Sequence, residues 1–237
     1  SDFGFALKYG NIDRYQANYT GFLQYKNLYP EGSGYGKRKV PKDAPPFFKD
    51  RWLVHVDQNY VWLNGNNVAN TGLAHTRYTR MWLPRLGSEA FVQSQYNEFT
   101  RLRMRVVTGL LARTEIVHRK PFILYGGTGY MLEFEFNDTV EGDEHPASTL
   151  NHRWNTYLVA NFSALQEKLL FRESVYVQPR FDNFGDIRVL AGSELRGNLS
   201  KHFSLGILFT LSYDSLPPAE IEPLDLSLKT TFGFTFG

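Results

Sequence analysis

Apolar and polar residues alternate along most of the chain, most plainly in the C-terminal stretch "LSLKTTFGFTFG". Leu226, Leu228, Phe232, Phe234 and Phe236 fall on one register, and Ser227, Lys229, Thr231, Gly233 and Thr235 on the other. A period of two is that of a strand whose faces meet different surroundings. The pattern returns between turn residues and almost nowhere yields to a sustained helical period. It predicts twelve strands, near 2–10, 13–27, 51–64, 67–81, 87–99, 101–117, 121–137, 149–163, 167–181, 184–197, 201–214 and 223–237. In "FILYGGTGYMLEFEF" the apolar side carries Phe122, Leu124, Tyr130, Leu132, Phe134 and Phe136, against Tyr125, Gly127, Gly129, Glu133 and Glu135.

Alternation fits a soluble barrel with an apolar interior or a membrane barrel with an apolar exterior. Size separates the two, because a ring of about twelve strands encloses a lumen too wide for one layer of Leu and Phe to fill. The polar set then faces inward and the apolar set faces lipid. Most segments exceed the roughly 9–11 residues that cross a bilayer at a tilt, and closure removes the unpaired edges a bilayer does not tolerate. The expected fold is all-β: one closed antiparallel transmembrane β-barrel over residues 1–237, with about twelve strands, or ten if the first hairpin lies outside the wall.

Connections give a second test. Counted from a periplasmic N-terminus, the turns at 83–87, 118–120, 165–168 and 198–201 are short, while 137–148 and 213–223 on the other side are long and acidic, as external loops tend to be. Residues 28–50 break the rule, being long, basic and rich in Pro and Gly on the periplasmic side. Aromatics near segment ends, Trp52, Tyr60, Trp62, Tyr78, Trp82, Trp154 and Tyr213, fit interfacial girdles.

Composition narrows the chemistry. A formal net charge of +2 gives no field for nucleic acid, and with no Cys there is neither a disulfide framework nor a thiolate metal site. The 14 Tyr and 19 Phe coexist with a negative mean hydropathy because polar residues dilute them at short range. No apolar run is long enough for a transmembrane helix, and "SDFGF" has no signal-peptide pattern, so export implies a leader already removed.

The inward register is charged. "RLRMRV" puts Arg101, Arg103 and Arg105 on one face with Leu102, Met104 and Val106 toward lipid; Arg77, Arg113, Arg153, Arg172, Arg188 and Arg196 share the interior with Glu89, Glu115, Glu133, Glu135, Asp186 and Glu194. Two readings stay open: an Arg-lined lumen that draws anions, or a plug of paired Arg and Glu. His55 and Asp57 share a strand face, with His75 on the neighbouring strand, but the pattern sets no serine beside them. Ordinary hydrogen-bonding filler is the plainer account. His118 falls in a turn and is read as solvent-facing. "GGTGY" at 126–130 lacks the helix a phosphate loop needs, and its glycines suit close packing of large side chains. In the 28–50 loop, Lys37, Arg38, Lys39 and Lys42 could meet an envelope protein or lipid headgroups.

Three stretches carry a family resemblance: "LKYGNIDRYQANYTGFLQY" near the start, Arg51-Trp52 opening a strand, and "ELRGNLSKHFSLGILFTLSYDSLPPAEIEPLDLSLKTTFGFTF" at 194–236, with "YDSLPP" the most specific. The sequence resembles the salt-induced outer-membrane protein family, domain of unknown function 481. The resemblance implies an integral β-barrel of the Gram-negative bacterial outer membrane and no settled activity. Such barrels usually end on the aromatic residue, whereas Gly237 follows Phe236 here. The expected protein is non-enzymatic, a narrow porin-like channel or structural envelope barrel, with outer-membrane lipid as its surroundings and no cofactor, metal or nucleic acid. The alternatives are a scaffold docking an envelope partner through 28–50 and a lipid-modifying enzyme.

Overall fold

The computed structural model describes residues 2–8, 14–34, 45–63, 66–139, 146–200 and 202–234. Each alternating segment becomes a strand: β1 (Asp2–Lys8), β2 (Arg14–Leu28), β3 (Phe48–Leu63), β4 (Asn66–Leu83), β5 (Leu86–Asn97), β6 (Leu102–Arg119), β7 (Phe122–Asn137), β8 (Ser148–Ala164), β9 (Leu169–Pro179), β10 (Ile187–Asn198), β11 (Phe203–Asp214) and β12 (Leu224–Phe234). All twelve belong to one antiparallel sheet in chain order. The first hairpin is part of the wall, so the count is twelve and not ten. The sheet curls into a barrel that brings β1 to within 8 Å of β12, Cα to Cα, with no backbone ladder between them among the described residues.

The outer surface is apolar. Leu110, Leu158, Leu195, Ile207, Leu228 and Phe232 are all exposed on it. The inner surface carries most of the charge, and beside inward apolar residues such as Leu53 and Leu73, Phe91, Val107, Leu111, Tyr125, Met131, Tyr157 and Val159 form a buried apolar cluster inside β5–β8. Glycine makes it possible. A Cβ on Gly109 would stand 2.5 Å from the Phe91 ring, and one on Gly127 would stand 2.6 Å from the Tyr157 ring. Large inward rings need that missing Cβ on the neighbouring strand.

Two bulges reset the parity of β6. Leu102 and Met104 pair with the adjacent residues Asn137 and Phe136, leaving Arg103 as the extra residue; Glu115 and Val117 do the same around Ile116. Each extra residue exchanges the faces beyond it. Leu102 therefore points inward, buried, where alternation put it on the lipid side. His118, read from sequence as a solvent-facing turn residue, lies in β6 and turns inward, buried.

The connection from β2 to β3 runs from 29 to 47, since Leu28 and Phe48–Asp50 lie in strands. Its Phe47 is buried, stacked on His118 at 3.8 Å between ring centroids. His118 Nε2 lies 2.9 Å from the Pro45 carbonyl, and the Tyr29 hydroxyl donates to the Met81 carbonyl at 2.7 Å. The ends of this connection are thus packed onto the barrel end formed by the β4–β5 and β6–β7 turns. Lys37, Arg38, Lys39 and Lys42 lie outside the described residues.

Candidate functional site: the charged interior

Inward charges gather in two groups. The first centres on Glu89 of β5. Its Oε1 accepts from Arg113 at 2.9 Å and from Thr79 at 3.1 Å, and its Oε2 accepts from the Tyr157 hydroxyl at 2.6 Å. Arg113 gives its other terminal nitrogen to Glu115 at 2.7 Å, and Glu115 faces His118 Nδ1 at 3.3 Å. Arg77 and Arg51 stand further from the Glu89 oxygens, at 3.5 and 3.8 Å. Aromatic faces hold the guanidinium groups: Arg113 lies 3.9 Å from the Tyr125 centroid, Arg51 4.9 Å from Phe48, and Arg77 5.6 Å from Phe91.

The second group is built on Glu133 and Glu135 of β7. Arg153 reaches Glu133 and Asp186, each at 2.9 Å. Arg105 reaches Glu135 at 3.0 Å. Arg188 binds Glu133, Glu135 at 2.8 Å and Asp214 at 2.7 Å. Because Arg188 stands on β10, this pair crosses the interior from β7 without following the sheet. Both groups are buried and richly hydrogen-bonded, the condition under which buried ion pairs are tolerated.

Beside them lies a cavity of about 1290 Å³. On β9–β12 a cross-strand row of small inward residues, Ser174, Gly192, Thr210 and Ser227, runs between larger lining residues such as Arg172, Tyr176 and Arg196. The cavity lining runs from Lys120 and Glu167 at one barrel end to Pro217 and Ile221 at the other. At that second end the β11–β12 connection folds over the mouth, with Pro218 buried. Arg101 ties it down, donating to the Ala219 carbonyl at 3.3 Å and pairing with Glu220. Arg101 precedes β6, on the far side of the twelve-strand order from β12.

The family profile described as "Protein of unknown function, DUF481" matches residues 48–236, from the start of β3 through β12. The chain belongs to the DUF481 family. A solved structure of the NanC porin, in a rhombohedral crystal form, is similar at a TM-score of 0.49 and 7% identity, covering 99% of this chain and 98% of that one. No curated protein matches the chain.

In this DUF481 barrel the residues singled out from sequence separate. Arg105, Arg172, Arg188, Glu133 and Glu135 line the cavity. Arg101 and Arg103 do not join Arg105, because the bulge at Arg103 breaks the face they would share. Arg101 adopts a left-handed φ of 55° after the 3-10 turn Glu98–Thr100, and Arg103 is exposed at the rim, 3.5 Å from Asp138. Arg172 makes no ion pair among the described residues. Arg51 was absent from the inward set read from sequence. Residue 51 has the parity of His55 and Asp57 on the same strand, and alternation from them places it inward.

Several of the aromatics near the strand ends carry polar partners. The indole N–H of Trp52 donates to Thr76 at 2.8 Å, that of Trp82 to Ser88 at 3.0 Å and that of Trp154 to Thr128 at 2.6 Å. Tyr60 and Trp62 stack at 5.4 Å, Tyr78 donates to Asp50 at 2.8 Å, and Tyr213 is half-buried beside the cavity. His55 and His75 are direct partners across β3 and β4, yet His75 Nδ1 lies 3.0 Å from Gln93 and Asp57 accepts from Thr20 at 2.7 Å. No cluster of three or more metal-ligating side chains occurs among the described residues.

Proposed function

We propose that this protein is a non-catalytic outer-membrane barrel whose interior forms a narrow, Arg-rich passage. The observation that carries the reading is the cavity of about 1290 Å³, lined from one end of the barrel to the other. An apolar exterior suits lipid and a polar interior suits water. The cavity is lined from β2 through β12, with the Glu89 group and the apolar cluster along one wall and a row of small residues along β9–β12 opposite, so solute passes between them. Arg172, which has no ion-pair partner among the described residues, tilts that path toward anions.

The test is conductance in a planar bilayer across a salt gradient, with Gly192→Trp and Arg172→Glu beside the wild type. Small steps with an anion-favouring reversal potential are expected. Gly192→Trp should shrink them by filling the open side, and Arg172→Glu should move the reversal potential toward cations. A folded wild-type barrel that stays silent would sink the passage and leave a structural envelope barrel.

A further inference from the structure

We propose that the interior holds a binding site for a small oxyanion, a carboxylate or phosphate group, between Arg51 and Arg77. Charge and donor counts both lead there. Around Glu89, three guanidinium groups, Arg51, Arg77 and Arg113, meet two carboxylates, Glu89 and Glu115, before His118 is considered. Glu89 has little capacity to spare, since Arg113, Thr79 and Tyr157 already hold its two oxygens at 3.1 Å or less. Arg51 and Arg77 are left at 3.8 and 3.5 Å, and the buried Nε of Arg77 has no hydrogen-bond partner. Arg77 also hydrogen-bonds to the Tyr176 hydroxyl oxygen, which keeps its own proton to donate to an oxygen ligand.

Both side chains face the cavity, each only 15% exposed. Largely buried positive charge in excess of its partners is costly until a counter-ion arrives. The guanidinium fork presents two parallel N–H groups to a carboxylate or phosphate. Phe48, Phe91 and Tyr157 hold the two arginines in place through their ring faces. Leu53, Val107 and Met131 line the same cavity and lower the local dielectric, which strengthens the attraction. The site goes beyond the proposed passage because equilibrium binding requires no flow.

The experiment is calorimetric titration of the folded full-length barrel with inorganic phosphate and, separately, acetate, at constant chloride. Saturable binding is expected, weaker by about tenfold or more in Arg51→Gln and in Arg77→Gln, the order of one lost charge-assisted hydrogen bond. It should be unchanged in Arg103→Gln at the rim. Binding of phosphate alone would identify phosphate esters as the ligand class, and of acetate alone carboxylates. A second readout needs no variant: either anion should slow modification of Arg51 and Arg77 by phenylglyoxal, followed by peptide mass spectrometry. Absence of saturable binding by the folded wild type, or no protection of these arginines, would overturn the site and leave the ring faces as their sufficient partners. A silent barrel that binds the anion would keep the site and sink the passage, and a conducting barrel that binds nothing would do the reverse.

Discussion

The hydroxyl of Tyr157 on β8 donates to Glu89 on β5 at 2.6 Å, although β6 and β7 lie between those strands in the wall. The bond therefore crosses the interior and ties two parts of the barrel that share no backbone ladder. Tyr157→Phe keeps the ring on Tyr176 and removes one of the three close donors, at a cost of about 1–2 kcal/mol. Glu89→Ala strips Arg113 of an anchor and leaves positive charge buried, at a cost of about 3–5 kcal/mol. Urea unfolding of both variants checks the ranking; equal costs would show that the Glu89 charge is not what holds this group together.

Arg101 and Glu220 form a tether of a different kind. The pair is 119 residues apart in sequence and Glu220 is well exposed, so its loss should scarcely change stability. What it fixes is the position of the β11–β12 connection over the mouth. Arg101→Ala should free that connection and raise or destabilise single-channel conductance, and Arg101→Glu combined with Glu220→Arg should restore wild-type steps. Unaltered traces in Arg101→Ala would mean that Pro217 and Pro218 hold the connection without help.

The strands were legible because the outer face of the wall is apolar along most of its length, so alternation from Phe203 to Tyr213 maps directly onto β11. The bulges were not legible. One extra residue at Arg103 or Ile116 leaves no mark in composition, yet it sends Leu102 and His118 inward and separates Arg101 from Arg105. Parity also assigns a face without assigning depth or partner. It could place Glu133 and Arg188 inside, but not bring them together across the interior from β7 and β10. The apolar cluster was hidden for the same reason: Val107, Leu111 and Met131 sit on the inner register of strands whose outer register is also apolar.

Phe47 joins the β2–β3 connection to the barrel. It is 3% exposed, stacked on His118 and 5.5 Å from the Arg85 guanidinium. Phe47→Ala should cost about 3 kcal/mol or more through lost packing, and Phe47→Tyr much less if its hydroxyl reaches solvent. A urea midpoint for Phe47→Ala within error of the wild type would show that the connection contributes nothing to the fold.

The two faces of the wall can be told apart by one charge placed on each. Leu110, in the middle of β6, is 68% exposed on the outer surface, and Thr210 lies on the inner register between Gly192 and Ser227. If the outer surface lies in lipid, Leu110→Arg carries a guanidinium into hydrocarbon and should cost about 2–4 kcal/mol near the midplane. Thr210→Lys puts its ammonium into the cavity, where water solvates it, and should fold into vesicles with the wild-type midpoint. A soluble barrel would give another result, since an arginine on a water-facing surface is nearly free of cost. Folding of Leu110→Arg into vesicles at the wild-type midpoint would therefore remove the outer surface from the bilayer, and with it the membrane reading on which the passage depends.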